Sequence, residues 1–155
     1  MMKSLRFCLL ACAPVALIAA APAGPIQLTS NVMVEKTAMV DGRQQTVLKA
    51  PDTVVPGDRL LFQTNYRNTG AKAADHFVVT NPVPASVAYA GESSAGAEMS
   101  VDGGKHYGPL STLRVTTPDG QSRPARPEDV TNLRWTLATI APGTQGTLKY
   151  RGMVR

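Results

Sequence analysis

What most constrains this chain is a period of two. In "DRLLFQTNYRNTG" the residues Leu60, Phe62, Thr64 and Tyr66 fall on one face and Leu61, Gln63, Asn65 and Arg67 on the other. Successive side chains of an extended chain point to opposite sides, so this alternation marks a strand with one face buried. The same reading sets Phe77 and Val79 against His76, Val78 and Thr80, and Leu133, Trp135 and Leu137 against Arg134 and Thr136. Near the end of the chain it sets Leu148, Tyr150 and Val154 against Lys149, Arg151 and Arg155. No segment after residue 23 sustains a helical period.

Turn residues punctuate these runs. Gly57 follows Pro56, Asn68 and Gly70 flank Thr69, Gly120 follows Pro118-Asp119, and Gly143 follows Pro142. Such residues accept turn dihedrals at low cost. Gly70 is expected to supply a positive φ, with residues 76–80 returning as the next strand. Pro82 and Pro84 end that strand, because proline has no N–H for a sheet ladder. The expected strands are 26–36, 43–49, 59–68, 75–82, 86–90, 97–101, an interrupted 105–117, 132–140 and 146–154. Short strands and turns at this spacing specify an all-β, antiparallel β-sandwich of about seven to nine strands.

The first 23 residues read as a secretory signal peptide. Lys3 and Arg6 precede an almost wholly apolar stretch, and Ala21-Pro22-Ala23 places small residues where a signal peptidase cleaves. A membrane anchor is the alternative, but the stretch falls short of the about 20 residues a spanning helix needs. Cys12 is a faint lipidation candidate, set too early to follow a full apolar stretch.

Cleavage after Ala23 removes Cys8 and Cys12, the only cysteines, so residues 24–155 form a single domain that must be stabilised by an ordinary core. It leaves 14 Lys and Arg against 11 Asp and Glu, a net charge of +3. That balance permits weak attraction to anionic glycans or lipids and carries no nucleic-acid signature. No later stretch is long and apolar enough to span a membrane, so the product is expected in the periplasm, outside the cell or at its surface.

Candidate chemistry is sparse. "SVDGGKHY" resembles an Asp-box hairpin through Ser100, Asp102, Gly104 and Tyr107, but the motif occurs once where a propeller needs one per blade. It reads as a turn at Gly103 and Gly104 in which Asp102 accepts backbone hydrogen bonds. His76 and His106 sit in different hairpins without metal-site spacing, and no nucleophile elbow, Ser-x-x-Lys or phosphate loop is present. The expectation is a non-enzyme with no cofactor and no metal. The candidate interaction patch is basic: Lys149, Arg151 and Arg155 on the last strand, with Arg134 and Arg114 on strands beside it. It reads either as a charged edge that blocks aggregation or as a docking patch for an acidic partner or glycan.

"VVPGDRLLFQTNYRNTG", "FVVTNPVPASVAY" and "LRWTLATIAPGTQGTLKYRGMV" together resemble the conserved-repeat domain of bacterial surface proteins, catalogued as domain of unknown function 11. The resemblance runs from Val54 to Val154. It implies an immunoglobulin-like sandwich, occurrence in envelope, S-layer and adhesin-like proteins, and no catalytic residues. Two departures stand out: Asn81 replaces the Asp that usually precedes Pro-x-Pro, and the chain holds a single copy.

The expected function is that of an exported structural or interaction module of the bacterial envelope, binding an envelope or surface protein through a sheet edge or end loops. One alternative is a periplasmic chaperone or pilus-type subunit, whose N-terminal strand at 26–36 would be loosely held for exchange. The other is a carbohydrate-binding module, which needs exposed aromatics, whereas the single Trp135 alternates into the core.

Overall fold

A computed structural model describes residues 25–155. Residues 1–23, the expected signal peptide with Lys3, Arg6, Cys8 and Cys12, lie outside the described residues. Ten strands form: β1 (Ile26–Val40), β2 (Arg43–Lys49), β3 (Arg59–Asn68), β4 (Ala74–Pro82), β5 (Val87–Ser93), β6 (Ala97–Ser100), β7 (Arg114–Thr116), β8 (Ser122–Pro124), β9 (Asn132–Ile140) and β10 (Gln145–Val154). A five-stranded sheet has the order β2-β1-β3-β10-β5, a three-stranded sheet the order β4-β9-β6, and β7-β8 is a separate hairpin. Every pairing is antiparallel.

The two larger sheets form an antiparallel β-sandwich. Val79, Leu133 and Trp135 of the small sheet bury against Tyr89, Leu148 and Tyr150 of the large one. Phe62 and Tyr150 are directly paired across β3 and β10, and their rings stack with centroids 4.5 Å apart. Aromatic cross-strand pairs of this kind stabilise a sheet beyond their buried area. The Tyr150 hydroxyl donates to the Pro82 carbonyl at 3.1 Å and so crosses from one sheet to the other. A second cluster of Val34, Leu60 and Val87 continues the core along the large sheet.

Three expectations change. First, β1 runs four residues further than the alternation indicated. Asp41 (φ 49°) and Gly42 (φ 74°) make the two-residue turn that folds β2 back on its far half. Two successive positive φ values are the signature of a type I′ hairpin, which Asp-Gly favours.

Second, Asn68-Thr69-Gly70 does not open a hairpin. β3 belongs to the large sheet and β4 to the small one, so the chain crosses between layers there. Gly70 is required for space and not for a positive φ, because a Cβ would stand 2.7 Å from the Pro25 Cβ. Asn68, fully buried, ties the crossing together: its amide donates to Lys72 and Ile140 carbonyls at 2.8 Å each, and its oxygen accepts the Gly70 N–H at 2.9 Å.

Third, the interruption expected in 105–117 takes up most of it. It contains bends, a 3-10 turn at Leu110–Thr112 and the short β7, which pairs with the unanticipated β8. Gly57 and Gly143 carry the positive φ that their turns demand, at 93° and 75°.

Candidate functional site

The extended geometry of β1 gives each residue one free side unless a neighbour occupies it. On one side β3 pairs with β1 from Ile26 to Glu35; on the other, β2 pairs only from Val34 to Val40. Among the described residues, the backbone of 26–33 therefore has no strand partner on its outer side. This segment, "IQLTSNVM", carries no charge, no proline and no break in register, and its Leu28 is 46% exposed.

Unpaired edges template aggregation, and proteins normally blunt them with charge, proline, bulges, short strands or a covering segment. The strands at the ends of the two sheet orders follow that rule. β4 is kinked by His76 at φ 51° and ends in Pro82. β5 has a register irregularity against β10, and the turn Pro127–Asp129 packs along it. β6 is four residues long and covered by the Met99–Gly108 bridge, while β2 carries Arg43 and Lys49 at its ends. The first half of β1 lacks such a device, and among the described residues it is longer than the two other unpaired half-edges, Thr136–Ile140 of β9 beyond β6 and Gln145–Leu148 of β10 beyond β5.

A cleft opens beside this edge. Ser30, Val32, Phe62, Thr64, Asn81 and Pro82 line it, between the two sheets. Thr64, 3% exposed, accepts from the Asn81 amide at 2.9 Å and shares a 3.0 Å hydrogen bond with Ser30. A strand laid on the edge would place alternate side chains into this cleft.

The outer face of the large sheet divides in two. Paired rows Gln27–Arg67–Gln145 and Thr29–Asn65–Thr147 are polar, followed by Asn31–Gln63–Lys149. Beyond them stands a closed ring of charge. Glu35 accepts from Arg59 at 3.2 Å and Arg151 at 2.6 Å, and Glu92 accepts from the same arginines at 2.6 and 2.9 Å. The ring spans four successive strands, β1, β3, β10 and β5. Arg59 foremost, with Arg151, holds the Glu92 carboxyl below its ordinary range, and the glutamates raise both guanidinium groups. Leu61 points to this outer face yet is 5% exposed, so the expected polar side of β3 is partly a second buried surface.

The five basic residues expected to form one patch are distributed over three sheets. Lys149, Arg151 and Arg155 do follow one alternation, but β10 is interior, between β3 and β5, and not an edge. Arg151 is consumed by the ring, and Arg155 donates to the Glu128 carbonyl at 2.7 Å. Arg134 is on β9 of the other sheet, paired with Glu98 at 2.7 Å and 4.2 Å over the Tyr107 ring. Arg114 belongs to the β7-β8 hairpin, bonded to Ser122.

The loop after β6 brings Ser100, Asp102 and His106 together, in an order unlike a catalytic triad. Ser100 donates to Asp102 at 2.7 Å, and Asp102 meets His106 Nδ1 at 2.6 Å. The serine hydroxyl is thus engaged by the carboxylate and makes no bond to the imidazole that would have to activate it. Asp102 also accepts the N–H groups of Lys105 and His106, as expected of a turn-holding aspartate. The Ser100 hydroxyl, then His106 and the backbone donors, hold its carboxyl far below the usual range. Gly103 and Gly104 take positive φ, 76° and 88°. No cluster of three metal-ligating side chains occurs among the described residues.

The open edge went unread in the sequence because its alternation is ordinary. Its signal was the uncharged run between Pro25 and Glu35. Comparison of the chain with protein-family models, with curated proteins and with solved structures finds no match.

Proposed function

We propose that the chain is an exported, non-catalytic interaction module of the bacterial envelope, which binds its partner by accepting an extended segment at the open half of β1. The reading keeps the resemblance to the conserved-repeat surface domain as its context and the segment 1–23 as its export signal. One observation carries it: the 26–33 edge, the longest unprotected stretch of strand among the described residues, lies beside a cleft. Main-chain pairing supplies affinity in such a mode, and the cleft selects side chains.

Addition of a strand is favoured over exchange of one. The strand that exchange requires to be loose is paired with β3 at ten positions, and Pro25 before it accepts hydrogen bonds from Thr69 N–H and hydroxyl. A carbohydrate module is disfavoured by its aromatics, since Trp135, Tyr89 and Tyr150 are all buried.

The test is crosslinking and affinity capture from intact cells with the wild-type chain and a Thr29→Lys/Asn31→Lys variant, followed by mass spectrometry. A partner held by the wild type and lost by the variant is the expected result. A partner retained by that variant but lost on Lys149→Glu would replace the edge with the polar outer face.

A further inference from the structure

We propose that the occupant of the open β1 edge is the same edge of a second copy of this chain, paired antiparallel about a two-fold axis through Ser30. The inference rests on the edge reading above and names its partner.

Two copies of one strand pair symmetrically in a continuous sheet only if a residue faces its own equivalent, because the axis stands perpendicular to the sheet. Isologous contacts of this kind are the common route to dimers. Centring on Ser30 opposes Leu28 to Val32 of the second copy on the core side, and Thr29 to Asn31 on the outer side. Centring on Thr29 would instead set Leu28 against Ser30, apolar against polar. The Ser30 register gives the half-exposed Leu28 an apolar neighbour. It also sets Thr29 opposite Asn31 on the outer side, polar against polar.

Length and charge agree with this arrangement. β2 occupies the same edge from Val34 onward, where Lys49 pairs, so the second copy can extend only to its residue 27, opposite Met33. The chain leaves the edge just there, since Pro25 lacks an N–H and is held on the β3 side by Thr69. Residues 27–33 are uncharged in both copies, so the pairing brings no like charges together.

The experiment uses a chain starting at Gly24, which carries all ten strands and neither native cysteine. In Ser30→Cys the two cysteines would face each other at an antiparallel pair spacing of about 4.5–5.5 Å, within disulfide reach. With oxidised glutathione, Ser30→Cys should form covalent dimer at least about tenfold faster than Thr29→Cys, whose cysteines are offset along the strands. Sedimentation should find wild-type dimer, and monomer for Thr29→Lys/Asn31→Lys and for Thr29→Glu/Asn31→Glu. Mixing those two variants should restore a heterodimer, because each lysine then faces a glutamate. Circular dichroism checks that both variants fold; if either does not, the cysteine pair decides alone.

Equal crosslinking of the two cysteine variants, a dimer unaffected by the lysines, or a wild type monomeric at every concentration each overturns the proposal. A monomeric wild type that still captures another envelope protein through 26–33 would sink the second copy and leave the edge reading standing. Capture insensitive to the edge lysines would sink both.

Discussion

The side-chain amide of Asn68 donates to the carbonyl of Ile140, 72 residues further along the chain, at 2.8 Å. With the bonds to Lys72 and Gly70, this residue closes one end of the sandwich, where β3, β4, β9 and β10 meet. Replacing it by Ala strands a buried carbonyl and a backbone N–H, which costs more than a lost hydrogen bond. Asn68→Ala should destabilise by about 2–4 kcal/mol. Urea unfolding measures it; a change under about 0.5 kcal/mol, the level of an ordinary surface substitution, would mean that water replaces all three bonds.

The Glu35 ring should behave as a unit. Glu35 is the shielded member, its side chain 10% exposed, and it accepts charged hydrogen bonds from two arginines. Glu35→Gln should cost about 1.5–3 kcal/mol, the range of hydrogen bonds to charged groups. A double-mutant cycle with Arg151→Met should return a coupling of at least about 0.5 kcal/mol, and additive effects would reduce the ring to independent surface pairs.

Acid should unfold the protein in a defined window. Asp58, Glu92, Asp102 and Asp129 all have carboxyls held below their ordinary values of 3.8 or 4.5, chiefly by Lys36, Arg59, Ser100 and Arg123 respectively. The unfolded chain binds protons first as pH falls, so their stabilisation is complete above those values and is lost as pH drops through the lower folded ones. Thermal midpoints should be flat from about pH 7 to 5 and fall below about pH 4. Asp102→Asn should flatten the acid limb, and an unchanged slope would remove that carboxylate from the account. At the alkaline end, burial raises Tyr150 above its ordinary 10.0, so stability should decline as pH rises past that value.

Gly152 is irreplaceable for a reason of space. A Cβ there would lie 2.4 Å from Val87 Cγ1 and 3.2 Å from the Ala88 carbonyl, where β10 meets the irregular part of β5. Gly152→Ala should cost about 1–3 kcal/mol by overpacking. Gly152→Ala combined with Val87→Ala should recover part of that loss in thermal unfolding, and no recovery would point to the backbone as the obstacle.

The strands 59–68 and 132–140 were legible to the residue because apolar side chains recur at every second position between turn residues. The interruption in 105–117 proved wider than expected, because Asp102 holds Lys105 and His106 in bends through contacts three and four positions apart that alternation does not express. The last strand looked like an edge because it is basic and C-terminal. Strand order decides edges, and β10 inserts between β3 and β5 by long-range pairing. Asp41-Gly42 was the overlooked local signal, and it would have lengthened β1 to Val40. The open half of β1 follows from that same order, so only its lack of charge was visible beforehand.

β1 and β10 both run antiparallel to β3, one on each side, so they point the same way. The start of β1 lies beside Asn68 and the end of β10 beside Arg59, at opposite ends of the strand between them. A pulling force applied at these two ends would act along the strands. It would load ten paired positions on one side and nine on the other together, in shear, and could not open them one rung at a time. Under such a load the two paired rows would resist together, with β3 as the member between them.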